Sequence, residues 1–229
     1  MTQARKAELI DDASPAPGEL DLARFAPEVE LLKTEASARL KRFRRFHRLG
    51  APSLLFVGPY TKQGGLDVAI QAAYRLREQF EDLRLATIPS GPIDHSFLDD
   101  CEMQALGLGH RGIVEWTVDE AELPFWFATA SIVCAPGSEC APVEDSARLA
   151  AAAGRPFVGG DVGALRAELA GETTWATLVA PGSVDALVDA CSLLLANADE
   201  AAARGAAARA RAQDRFASPS HAAGPQIVS

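Results

Sequence analysis

Six short apolar runs, each followed by a segment of helical periodicity, constrain this chain more than any other feature. The β-rich runs fall at Ser53–Val57, Leu83–Ile88, Gly112–Trp116, Ser131–Ala135, Pro156–Gly159 and Thr177–Ala180. Apolar residues recur at three- and four-residue steps over approximately Gly65–Phe80, His95–Leu106, Glu120–Ala128, Val143–Ala153, Val162–Leu169 and Val184–Leu195. A strand that is apolar at every position needs cover on both faces, and amphipathic helices provide it around a parallel sheet. The pattern therefore predicts a doubly wound, Rossmann-like α/β domain of six strands with helices on both faces.

The flanks read differently. Residues 1–26, with Pro15, Pro17 and scattered acidic residues, form an irregular lead-in. Residues 27–49 turn helical, with Val29, Leu31, Leu32, Ala36, Leu40, Phe43 and Phe46 in register. That helix ends in Lys41, Arg42, Arg44, Arg45, His47 and Arg48, either a patch for an anionic surface or cations that complement the helix dipole and cap its last carbonyls. The α/β domain occupies 50–216, closed by an Ala/Arg-rich helix over Asp199–Phe216, and 217–229 reads as a flexible tail.

Composition narrows the function classes. At 229 residues, 48% apolar and 23% charged, the chain has core enough to stand without disulfides or a structural metal. A formal charge of −9 argues against general binding to nucleic acid or anionic membrane, so any anion must be held by local geometry. Cys101, Cys134, Cys140 and Cys191 show no CxxC spacing and read as small buried hydrophobes of a reducing compartment; a shared role for Cys134 and Cys140 is the other reading. The N-terminus lacks a secretory apolar core and no stretch approaches ~18 apolar residues, so no transmembrane segment and a cytoplasmic location are expected.

In doubly wound sheets ligands bind beyond the carboxyl ends of the strands, where loops and helix N-termini present unpaired N–H groups. Two loops qualify. The first, Gly58-Pro59-Tyr60-Thr61-Lys62-Gln63-Gly64-Gly65, offers glycines for close backbone approach to an anion and Lys62 as counter-charge; it also fits a tight βα turn with no ligand. It is neither a GxGxxG nor a Walker loop. The second, Pro136 to Asp145, holds Ser138, Glu139 and Glu144, whose carboxylates accept hydrogen bonds from sugar or ribose hydroxyls. Equally, Glu144 and Asp145 in a first helical turn are stabilised by the dipole alone.

The order of these phrases resembles the C-terminal, donor-binding half of retaining GT-B glycosyltransferases of the large family 4 group. Leu20-Asp21 to Phe25-Ala26-Pro27 is similar to its interdomain hinge, Leu54–Gly58 to its first strand and Gly64-Gly65-Leu66-Asp67 to the start of its first helix. Ile88-Pro89-Ser90-Gly91-Pro92 takes the place of a glycine-containing turn, Ala150–Val158 that of a small-residue Gly-Lys-Pro-Val phrase, and Leu178–Leu187 that of an apolar, Pro-Gly, Asp, Ala-Leu phrase. The resemblance covers residues 18–215 and implies one half of a two-domain enzyme. A hexose would pass from a nucleotide diphosphate sugar to an acceptor held by a partner chain, with retention and without a required metal or other cofactor. Donor contacts would come from Gly58, Lys62, Gly65, Ser138, Glu139, Val143 and Glu144.

Departures from the family pattern fall on chemistry. The Arg and Lys that hold the donor diphosphate in the family correspond here to Pro59 and Gly64, and the second of two spaced glutamates falls at Arg148 or Leu149. Preorganised donors at a departing anion contribute about 3 to 4 kcal/mol each in well-studied oxyanion sites, so a site without them transfers sugar poorly. A catalytically silent scaffold that binds another protein is the alternative reading. For that role Phe125-Trp126-Phe127 is either a docking cluster or core filling. An incomplete version of a longer chain is a third.

Overall fold

The structure of the protein, a computed structural model, describes residues 29, 38–47, 49, 52–108, 114–116, 122–138, 143–169 and 174–216. Strands β1 (Ser53–Tyr60), β2 (Arg84–Ile93), β3 (Val114–Trp116), β4 (Ile132–Ala135), β5 (Phe157–Gly160) and β6 (Ala176–Val179) form one sheet in the order β3-β2-β1-β4-β5-β6. Every adjacent pair is parallel. Helix α1 (Ala38–Phe46) precedes the sheet. Helices α2 (Leu66–Leu76), α3 (His95–Gly107), α4 (Leu123–Thr129), α5 (Val143–Ala152), α6 (Gly163–Leu169) and α7 (Val184–Ala196) follow the strands in turn, and α8 (Ala198–Phe216) closes the chain. The doubly wound architecture expected from the alternation is therefore present.

The continuous apolar strands are explained by the two cores they serve. Leu55, Val57, Ala86, Val133 and Phe157 face one side, with Phe43, Trp126 and Ala150 among the residues that cover them. Leu54, Phe56, Leu85, Ile132 and Val158 face the other, against Leu66, Ile70, Leu98 and Leu187. Neighbouring residues of a strand point to opposite faces, so the two sets interleave by single steps. Helix starts are set by short polar side chains: Asp94 accepts from the Phe97 N–H (3.1 Å) and Ser183 from the Ala186 N–H (3.2 Å).

Two expected turns are strand instead. β1 continues past Val57 to Tyr60, and β2 runs to Ile93 through the Ile88–Pro92 phrase expected to be a turn. The register slips between Gly58, paired with Pro89, and Tyr60, paired with Ile93, so β2 spends two extra residues there. Gly91, at φ 97°, takes the bulge conformation that a side chain would resist. The Phe125–Phe127 cluster fills core: Trp126 and Phe127 are buried, and Phe125 stacks on Phe43 at 5.1 Å. The docking reading of these rings is thereby set aside.

Three thiols behave as buried hydrophobes. Burial pushes Cys101 and Cys134 up to about 12 and Cys191 well above its ordinary value. Cys140 lies outside the described residues. Alkylation of the native protein near neutral pH is expected to spare the three and to modify them after unfolding. Because the folded thiols titrate above the unfolded value of 9.0, their contribution to stability is whole below that pH and declines as pH rises toward about 12. Rapid native labelling of Cys134 would contradict this.

Candidate functional site

Strand order reverses between β1 and β4, and the crevice at the carboxyl ends of these two strands is the switch point of the sheet. Three loops meet there with backbone against backbone. A Cβ on Gly137, just beyond β4, would lie 2.4 Å from the Gln63 carbonyl oxygen and 2.6 Å from that of Gly64. One on Gly160, at the end of β5, would lie 2.1 Å from the Gly137 carbonyl oxygen. The Ser138 N–H donates to the Gln63 carbonyl (2.8 Å) and the Gly182 N–H to that of Pro136 (3.0 Å). Only residues without side chains allow such approach, and the rim is correspondingly well determined.

Helix α2 opens on this rim. Its N-cap, Gly65, sits at φ 80° and provides no side-chain cap, so the first-turn N–H groups have no such partner. Close by, the Lys62 ammonium donates to Oδ2 of Asp67, in the first turn of α2. The Lys62 side chain is 73% exposed while that of Asp67 is buried, so the pair hangs from the surface with its anion inward. The hydrogen bond to Asp67 and its charge raise the Lys62 pKa and keep it cationic. Asp67 Oδ1 is buried with no hydrogen-bond partner. Among the described residues, the one lysine at this rim is therefore shared with a carboxylate that would repel an incoming anion.

Of the residues expected at the site, Lys62, Gly65 and Ser138 converge on the loops around Gly137. Gly58 does not; it lies within β1, paired with Pro89, where a Cβ would meet the Phe56 ring at 3.2 Å. Glu144 stands in the first turn of α5, a helix tied to the same edge by the Ser146 hydroxyl, which donates to the Val57 carbonyl (2.9 Å). Glu139 and the Val143 side chain fall outside the described residues. Arg148 is engaged by Asp145 (3.0 Å) and Glu168 (2.7 Å), and Leu149 is core, so neither replaces a second glutamate. Sequence reasoning passed over Asp67, Gly137 and Gly160. The two glycines carry a usable signal, since Gly160 ends an apolar strand and Gly137 stands two residues beyond one.

Comparison with known proteins decides the family. Residues 51–197 match the family model described as Glycosyl transferases group 1. The chain belongs to that family. A curated relative, the GDP-mannose-dependent alpha-(1-6)-phosphatidylinositol monomannoside mannosyltransferase of Mycolicibacterium smegmatis, is 31% identical over 209 residues, which are 87% of this chain and 51% of that protein. This group 1 chain thus spans about half the length of the curated relative it matches. Anabaena HepE, solved in complex with UDP and glucose, superposes with a TM-score of 0.70 at 18% identity over 82% of this chain and 50% of that one. The C-terminal domain of the group 1 protein LpcC from Francisella tularensis matches over 81% of this chain and 96% of its own, with a TM-score of 0.68 and 17% identity. The group 1 domain described here therefore has the fold of a GT-B C-terminal half. Among its described residues no helix is long and apolar enough to cross a membrane.

Proposed function

We propose that this group 1 domain is the donor half of a glycosyltransferase, holding a nucleotide diphosphate sugar at the rim between the β1 and β4 loops while another domain or chain presents the acceptor. The observation that carries this reading is the glycine-built convergence of Gly65, Gly137 and Gly160 at the switch point, beside a helix start with no side-chain cap. Such a rim leaves main-chain N–H groups and the positive end of the α2 dipole for a diphosphate. The solved complexes of Anabaena HepE with UDP and with UDP-glucose, which share this fold, support the ligand class, and the mannosyltransferase relative supports a hexose donor.

In this reading Lys62 swings from Asp67 to the phosphates, Ser138 donates to or accepts from sugar and ribose hydroxyls, Glu144 accepts from them, and Glu139 takes the role of the family's donor-sugar glutamate. Departure of the nucleoside diphosphate accumulates negative charge, which the α2 dipole and one shared lysine stabilise less well than two dedicated cations. Donor binding and sluggish transfer are expected together. The engagement of Lys62 by Asp67 favours a second reading, a GT-B scaffold that keeps the fold without turnover.

Thermal melts with millimolar GDP-mannose, UDP-glucose and ADP-glucose separate the two. A donor at 100 times its dissociation constant stabilises by about 2.7 kcal/mol. The shift is expected to vanish in Lys62→Ala and to grow in Asp67→Asn, which removes a competing anion and frees the ammonium. No shift with any of the three donors would leave only the scaffold reading.

A further inference from the structure

Helix α1 carries the densest charge in the molecule, and nothing at the donor rim uses it. Arg39, Lys41, Arg42, Arg44 and Arg45 fill five of its nine positions, without an acidic residue among them, in a chain whose formal charge is −9. Structural roles absorb part of this. Arg44 and Arg45 sit in the last turn, where they complement the dipole, and the Arg39 guanidinium lies 5.2 Å from the Phe125 ring centroid. Lys41 and Arg42 have no such account. All four of Lys41, Arg42, Arg44 and Arg45 are exposed, with no ion-pair partner among the described residues. Burial, and then the like charge of Arg44, lower Arg155 to about 10.

The apolar side of the helix is divided. Phe43 is buried edge-on against Trp126, with ring centroids 4.8 Å apart, and His47 just beyond the helix has Nδ1 3.1 Å from Glu115 and Nε2 3.6 Å from Glu122. These contacts fix α1 to α4 and to the β3 edge. Phe46 is left outside, 73% exposed. Arg42, Arg45 and Phe46 stand at i, i+3 and i+4 and therefore share one outward face. A ring among cations on one face of an anchored helix is the composition of an element that lies at a charged apolar boundary.

We propose that the outward face of α1 docks on an anionic membrane surface, Lys41, Arg42 and Arg45 meeting lipid headgroups and Phe46 entering the headgroup boundary. The negative charge of the whole chain does not prevent this, because fields in salt decay over about 10 Å and the patch alone is felt at contact. A polynucleotide would satisfy the cations but would give Phe46 an apolar partner only after unstacking a base. The inference is independent of the donor site and holds for an active or a silent domain.

Co-sedimentation of the full chain with phosphatidylcholine vesicles, with and without phosphatidylserine, tests it. Binding is expected only with phosphatidylserine, reversed at high salt, and weakened at least tenfold in Lys41→Gln/Arg42→Gln/Arg45→Gln. Phe46→Ser is expected to weaken binding several-fold at low salt. Circular dichroism and the melting temperature verify that each variant is folded, and a duplex DNA arm is run beside the vesicles. Absence of vesicle binding by the unsubstituted chain, binding unchanged in the triple variant or in Phe46→Ser, or capture by DNA without vesicles would each overturn the proposal.

Discussion

Alanine at Gly137 is expected to lower stability by about 2 to 3 kcal/mol and to remove any stabilisation by a nucleotide sugar, although it adds a single methyl group. The methyl would stand 2.4 Å from the Gln63 carbonyl oxygen and 2.6 Å from that of Gly64, and neither neighbour is a side chain that can rotate aside. Relief requires the β1 and β4 loops to part, which breaks the Ser138 N–H to Gln63 bond and moves the start of α2. In a chain of this size the loss corresponds to a fall of roughly 4 to 12 °C in melting temperature. Gly163→Ala is the matched control. A Cβ there meets nothing within 4 Å and lies at the start of a helix, so it should be neutral or slightly stabilising. Equal melting temperatures for the two variants would show that the rim is not the constraint described.

Which of these features the sequence discloses follows from how far each one reaches along the chain. The strands and helices were legible because burial on both faces writes itself into local periodicity: β4 and β5 lie within one residue of their expected starts and ends. The extension of β1 and β2 was not. Pro59, Pro89 and Pro92 argue for turns when read locally, and only the paired register, with its bulge at Gly91, makes strand of them. The candidate rim was half legible. Lys62, Gly65 and Ser138 were found from their position after a strand, a local signal. The contact of Gly137 with Gln63 and Gly64 joins residues over seventy positions apart, and the burial of Asp67 beneath Lys62 depends on how α2 packs, which no spacing announces.

That same packing determines what would follow from an attempt to rebuild the cationic clamp. Lysine at Gly64, where the family resemblance places the second diphosphate cation, is expected to cost about 3 kcal/mol and to add nothing to nucleotide affinity. Its Cβ would fall 2.1 Å from the Pro59 carbonyl oxygen and 3.0 Å from the Pro59 carbonyl carbon. The Gly64 N–H is meanwhile held by the Thr61 carbonyl (3.0 Å) and hydroxyl (3.1 Å), so the turn cannot open on that side. The two departures from the clamp are thus in direct contact: the carbonyl and ring of Pro59 occupy the space in which a side chain at 64 would have to begin. Pro59→Arg alone removes the ring, frees the φ it holds and returns one cation. The double variant Pro59→Arg/Gly64→Lys should therefore be more stable than the sum of the single losses by at least about 1 kcal/mol, the coupling expected of residues in contact. A gain in donor affinity should accompany the double variant and neither Gly64→Lys alone nor, beyond a small electrostatic increment, Pro59→Arg alone. Strict additivity of the melting data, or a Gly64→Lys protein that melts normally and binds donor tightly, would mean that the clamp was lost at each position independently and that the turn does not link them.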